Sequence, residues 1–192
     1  MPETAVMILA AGASKRLGRP KQQLFFENQT LLDRIIHTAT SLQSGPVVVV
    51  HGDDIILPQD IAIVPVLNSQ WQEGMATSIH AGINALEAKF PLIETVIITV
   101  CDQPFITVEL FREMIALQQQ TGKPIIASVY GETIGTPVLF HKSVFKELLI
   151  LSGDKGARQL LKKDTDRVGL VNFPLGKIDI DTEEDYEGLI KQ

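Results

Sequence analysis

The chain has 192 residues, 45% of them hydrophobic, a net charge of −6 and a single cysteine. That length suits one domain with modest insertions, and that apolar content supplies a sizeable core rather than long disordered tracts. No apolar run approaches the roughly 20 residues that span a bilayer, Met1 to Ala5 carries no basic leader, and Cys101 has no internal disulfide partner. A cytoplasmic protein is expected, without a membrane partner, and the acidic balance argues against broad nucleic-acid binding. The charge is unevenly placed: Lys15, Arg16, Arg19 and Lys21 cluster near the N-terminus, and Asp179, Asp181, Glu183, Glu184, Asp185 and Glu187 near the C-terminus. Two solvated clusters would look like this, but so would a site for a polyphosphate and its metal if the fold joins the two ends.

In chain order, Val6 to Ala10 reads as a short buried strand followed by a loop rich in Gly, Lys and Arg. Thr30 and Asp33 have capping-box spacing, opening a helix with Leu31, Leu32, Ile35, Ile36, Ala39 and Leu42 on its apolar face. Gly45-Pro46 closes it. The β-branched run Val47 to Val50 suits a strand covered on both faces, and Ile61 to Leu67 is a weaker strand because of Pro65. Glu73 to Lys89 has helical periodicity, Thr95 to Val100 is the clearest strand, and Thr107 caps a helix carrying Leu110, Phe111, Met114 and Ile115. Pro124 to Tyr130 and Thr133 to Phe140 predict a strand pair around Gly131-Glu132. Helices are expected from Ser143 and from Asp154, strands at Val168 to Phe173 and Lys177 to Ile180, and a last helix capped by Thr182. Alternating strands and helices predict an α/β fold, a mostly parallel sheet sandwiched by helices.

A glycine-containing loop after the first strand of such a fold is a common phosphate site, because backbone N–H groups point into the crevice. The P-loop pattern fails here: five residues separate Gly12 from Gly18, and Arg19-Pro20 follows. The dinucleotide fingerprint fails as well, since Ala13-Ser14 leaves only Gly12 and Gly18 in place. A short-chain dehydrogenase needs a tyrosine four residues before a lysine, but Tyr130 and Tyr186 have Ile134 and Ile190 at that spacing. Asp102 follows directly on the strand ending at Val100, where ligands of open parallel sheets bind. A magnesium ion prefers one or two carboxylates plus phosphate oxygens and waters, so Asp102 is the first candidate metal ligand. Cys101 reads as a small apolar residue at the strand end. The four histidines, His37, His51, His80 and His141, are scattered and outline no zinc site.

The first loop, Leu9-Ala10-Ala11-Gly12, Arg16-Leu17-Gly18 and Pro20-Lys21, resembles the signature of the MobA-like nucleotidyltransferases, with Leu17 where methionine is usual. The resemblance covers essentially the whole chain. It implies a single domain of that type over residues 1–192, with the three-layer Rossmann-like sandwich of nucleotide-diphospho-sugar transferases. It makes Arg16 and Lys21 the catalytic cations, a bidentate fork and a point charge on the triphosphate. Asp179-Ile180-Asp181-Thr182 resembles a second family segment, which makes Asp181 the second magnesium ligand and Asp179 its support or alternative; Asp185 reads as the capping partner of Thr182. Within the family, Trp71 to Gly82, Gly135 to Phe140 and Gly153 to Arg158 resemble the molybdenum cofactor cytidylyltransferases. This implies that Leu9, Ala10, Ala11, Gly12, Gly74, Met75 and Ser78 bind the nucleotide, and that Gly135, Pro137, Asp154, Gly156 and Arg158 face the acceptor. His80 and Thr136 depart from the arginine and histidine usual there. The expected reaction is magnesium-dependent transfer of CMP from CTP to the terminal phosphate of a molybdopterin-type cofactor, with release of pyrophosphate. A client molybdoenzyme or its chaperone is the further partner implied. GTP in place of CTP, a sugar-phosphate acceptor, and an inactive nucleotide- or cofactor-binding protein are the alternatives.

Overall fold

The computed structural model describes residues 3–12, 14, 16–154 and 156–191. Its centre is a seven-stranded sheet built from β1 (Glu3–Leu9), β4 (Val47–His51), β5 (Val64–Leu67), β6 (Ile93–Val100), β7 (Ile125–Tyr130), β8 (Thr133–His141) and β9 (Val168–Asn172), in the order β5-β4-β1-β6-β8-β7-β9. The first four run parallel, β8 is antiparallel to both β6 and β7, and β7 pairs parallel with β9. The sheet is therefore mostly parallel with one reversed strand, the return arm of the hairpin around Gly131-Glu132. Pro65, which lacks an N–H, sits in β5 at the sheet edge, where the missing donor costs least.

Strand alternation separates the two helical layers. In β1, Ala5, Met7 and Leu9 join a core with Ile79, Ile83 and Leu86 of α2 (Met75–Lys89), Phe145 and Leu148 of α4 (Phe145–Leu148), and Leu161 of α5 (Arg158–Lys163). Val6, Ile8 and Ala10 face the other way, onto Leu32, Ile35 and Ile36 of α1 (Leu31–Ser41) and Leu110, Phe111 and Met114 of α3 (Val108–Thr121). The period of two in the strand thus meets two helical stripes of period 3.6, which makes the three-layer sandwich. Thr30 and Thr107 cap α1 and α3 as expected, accepting from Asp33 N and Leu110 N. No helix among the described residues is long and apolar enough to cross a membrane.

Several elements differ from the sequence reading. Lys177 to Ile180 is not a strand. Pro174 opens a 3₁₀ segment, Pro174–Lys177, closed by Ile178 N on Leu175 O, and beyond it Ile180 N bonds to Asp102 O without a strand ladder. The helix expected from Glu73 begins at Met75, because Trp71–Glu73 forms a separate 3₁₀ turn and Gly74 takes φ 118°. The helix expected from Asp154 begins at Arg158, and that from Ser143 starts as a 3₁₀ turn before α4. A small hairpin, β2 (Phe25–Phe26) with β3 (Gln29–Thr30), has no strong apolar alternation to announce it. Its turn residues Glu27 and Asn28 both have positive φ, the two-residue geometry that matches strand twist.

Candidate active site

Leu9, Val50 and Val100 are register partners at the carboxyl ends of three adjacent parallel strands, so the loops leaving β1, β4 and β6 open on one edge of the sheet. The first loop is held there from within. Ala10 N donates to Val50 O, and the buried Gln22 side chain donates through Nε2 to Ala10 O at 2.6 Å and Gly12 O at 3.2 Å. Ser14 O accepts from Leu17 and Gly18 N, and Ser14 Oγ accepts from Lys21 N. Leu17 anchors the loop in a third apolar cluster with Leu24, Leu31, Ile180 and Leu189. That cluster brings the C-terminal segment beneath the loop. Leu17 performs this packing in the place where the family usually has methionine.

The cationic and acidic ends of the chain consequently meet. Lys21 Nζ reaches Asp102 Oδ2 at 2.5 Å and Asp181 Oδ1 at 3.0 Å, while Arg16 Nη2 meets the other oxygen of Asp181 at 2.5 Å. Farther out, Arg19 pairs with Glu183 and stacks over Tyr186, whose hydroxyl donates to Phe25 O. Thr182 and Asp185 form the expected capping box of α6 (Glu183–Ile190), which fixes the backbone beside Asp181. Burial pulls the Lys21 ammonium down, but the charges and hydrogen bonds of Asp102 and Asp181 together outweigh it and hold its pKa above the usual lysine value. Burial, then the like charges of Asp181 and Asp102, push the Asp179 carboxyl above the ordinary aspartate range. Burial and the neighbouring Asp102 push the Cys101 thiol up to about 12, so it is no thiolate nucleophile at neutral pH.

Two cavities flank this ion-pair cluster. The larger, about 960 Å³, has Lys21, Asp102, Asp179 and Asp181 along one wall and runs over Ile98, Val138 and Phe140 of the sheet toward Met75, Asp154 and Arg158. The smaller, about 340 Å³, lies against Ala11, Gly12, Gly18, Gly52, Asp53 and Trp71. Of the residues expected to bind nucleotide, Ala11 and Gly12 line the smaller cavity and Leu9 and Met75 the larger, while Ala10 is buried under the loop. Ser78 is buried and accepts from Asn68 Nδ2, and it lines neither cavity. Of the acceptor set, Gly135, Asp154 and Arg158 line the larger cavity, whereas Pro137, preceded by a cis peptide, and Gly156 do not. Gly74 and Gly156 serve close packing. A Cβ on Gly74 would meet Gly153 C at 2.6 Å, and one on Gly156 would meet Met75 Sδ at 2.6 Å. The two segments expected on opposite partners are therefore in contact. Ala13, Lys15 and Lys155, which lie within the quoted motifs, fall outside the described residues.

Sequence reasoning missed Gln22 and Gln103. Gln103 is buried, donates to Gly176 O and accepts from the Thr136 hydroxyl, which ties the end of β6 to β8 across the cavity. Gly52 and Asp53 were also missed, although a Gly-Asp-Asp run after a buried strand at the same sheet edge was a readable signal.

The donor set can be tested for a metal. Asp102 and Asp181 offer carboxylate oxygens close enough to share one ammonium, beside a crevice wide enough for phosphates. Among the described residues no three His, Cys, Asp or Glu side chains form a ready metal cage. Two carboxylates completed by phosphate oxygens and waters fit magnesium or a similar hard cation.

A model of the MobA-like NTP transferase domain matches residues 6–168. The molybdenum cofactor cytidylyltransferase of Escherichia coli is 28% identical over 185 residues, covering 94% of this chain and 92% of its own. The purine catabolism protein PucB of Bacillus subtilis is 26% identical over 195 residues, covering 94% and 93%. Among solved structures, the Rv0371c homolog of Mycobacterium sp. strain JC1 superposes with a TM-score of 0.81 at 28% identity, over 98% of this chain and 95% of the other. With the glycine-containing loop, its paired cations and carboxylates and this match in hand, the chain belongs to the MobA-like NTP transferase family, and its chemistry is nucleotidyl transfer.

Proposed function

We propose that the protein transfers CMP from CTP to the terminal phosphate of a molybdopterin-type acceptor and releases pyrophosphate. The observation that carries this reading is Lys21 set between Asp102 and Asp181 on the wall of the larger cavity. The triphosphate would lie along the first loop, its base toward Ala11 and Trp71, and its α-phosphate at Lys21. The acceptor, in the larger cavity, presents a phosphate oxygen to the α-phosphorus. A P–O bond forms there as the α–β bond breaks, and the bonding pair leaves with pyrophosphate. An ionised phosphate is already a nucleophile, so no general base is required. Arg16 and Lys21 would release Asp181 and Asp102 to the metal and turn to the phosphate oxygens, where they neutralise charge on the leaving group. Magnesium on Asp102 and Asp181 would supply Lewis-acid stabilisation and orient the phosphates. Ala11 favours a cytosine over a guanine by narrowing the smaller cavity, a modest discriminator.

The test is a panel of four nucleoside triphosphates with molybdopterin cofactor and magnesium, read by pyrophosphate and by the dinucleotide formed. Faster turnover with CTP supports the reading. Preference for GTP, or for a sugar phosphate as acceptor, would move the assignment within the family. Magnesium-dependent CTP binding without turnover on any acceptor would mark a binding protein.

A further inference from the structure

The cations around the crevice fall into two sets. Arg16, Arg19 and Lys21, on the first loop, are each ion-paired. Arg158, Lys162 and Lys177 line the larger cavity, and none of them has a carboxylate within ion-pair distance among the described residues. Asp154 and Asp179 line the same cavity without pairing to any of the three. Arg158 and Lys162 stand one turn apart on α5, a spacing at which like charges repel. Lys177 arrives from a different element, the end of the Pro174–Lys177 segment. Three cations from two elements line one cavity without a carboxylate partner among the described residues, an arrangement that an anion would complete.

Resting on the function proposed above, we propose that Lys162 and Lys177, together with Arg158, bind the phosphate of the acceptor. Nucleotidyl transfer to a phosphate brings two strongly negative reactants together. Cations that serve only the triphosphate leave the second reactant repelled. A separate set lets both approach, and it holds the acceptor phosphate while its non-phosphate body lies on Ile98, Val138 and Phe140. The flat floor of Ile98, Val138 and Phe140 under a charged rim suits a phosphomonoester with a planar body, and Gln103, Thr133 and Thr136 on the same walls offer partners for its polar edges.

The probe is 1-naphthyl phosphate, titrated calorimetrically into the full-length protein, with 1-naphthol as the uncharged control and magnesium-CTP affinity measured in parallel. Lys162→Gln and Lys177→Gln should each weaken 1-naphthyl phosphate about tenfold, while the affinity for CTP stays within twofold. Lys177→Arg keeps the charge and should restore most of the binding. Both lysines are exposed, and unchanged circular dichroism would confirm folding. Unaltered probe affinity in both glutamine variants, or no binding by the parent protein, would overturn the assignment. Equal losses for probe and CTP would also overturn it, by giving these lysines to the triphosphate. Because the readout is binding of the probe, failure of CTP turnover leaves this result separately interpretable.

Discussion

The first loop and the far rim of the larger cavity are both cationic, but the protein treats them differently. On the loop every described cation has its carboxylate: Arg16 and Lys21 on Asp181, Lys21 on Asp102, and Arg19 on Glu183. On the rim, Arg158, Lys162 and Lys177 have none among the described residues. The described cations of the loop are therefore held by carboxylates without a ligand, whereas those of the rim are exposed and left without such a partner. The pairs on the loop are themselves unequal. Lys21 and Asp102 side chains are 14% and 19% exposed, and Arg19 and Glu183 are 49% and 52% exposed. Solvent screens the outer pair, so it tethers, while the inner group carries the electrostatics of the site.

This contrast can be broken first at Lys21. Lys21→Ala should lower pyrophosphate release by about 10²–10³-fold, the scale of losing one preorganised charge at a reacting phosphate, with the circular dichroism spectrum retained. Normal release would remove Lys21 from the proposed mechanism. Next comes the choice between the two C-terminal aspartates. Asp181→Asn should cut turnover by about 10²-fold, and Asp179→Asn by much less. The reverse order would make Asp179 the metal ligand.

Asp179→Asn has a second expected effect. The folded-state pKa of Asp179 is raised, so the folded protein binds this proton more readily than the unfolded chain does. Stability then falls as pH rises through the window between the unfolded and folded values, and the ionised group is unfavourable at neutral pH. Asp179 is solvent-exposed, which screens the effect, so the asparagine variant should melt only slightly higher than the parent at pH 7, with the gain vanishing below about pH 4, near the ordinary aspartate value. A lower melting temperature at pH 7 would contradict the burial and like-charge account of this group.

Gln22→Leu tests how the loop is preorganised. It leaves the Ala10 and Gly12 carbonyls without their side-chain donor, and should cost about 1–3 kcal/mol in denaturant unfolding. A neutral result would show that water replaces the amide. The smallest effect is expected at the tether. Arg19→Gln should cost less than about 1 kcal/mol and become undetectable at high salt. A larger loss would mean that the Tyr186 stacking, rather than the Glu183 ion pair, holds α6.

Much of the fold is legible in the amino-acid sequence alone. The alternation of β1 and the stripes of α1 and α3 follow from side-chain period, and the caps Thr30, Thr107 and Thr182 from local hydrogen bonding, so each is readable within a short window. The misreadings fall where local pattern is weak. Lys177 to Ile180 has strand-like residues but no neighbouring ladder, and Gly74 starts α2 late because its backbone must pass Gly153.

The sequence by itself determined the α/β sandwich, the loop after the first strand and the residue types of the site, because periodicity and turn chemistry are local. It also excluded the P-loop and dehydrogenase turns, and the loop's resemblance to the MobA-like signature pointed to the family. Only the tertiary structure decided that the basic N-terminal cluster and the acidic C-terminal one are a single site. Arg16 and Asp181 are 165 residues apart in the chain, and their meeting depends on Leu17 and Ile180 burying in one apolar cluster. The same is true of the unpaired rim: Lys162 and Lys177 carry no signal in the sequence, Arg158 stands out there only through a family segment, and the three become a set because α5 and the Pro174–Lys177 segment line one cavity. Long-range packing made both groupings, and no local spacing encodes it.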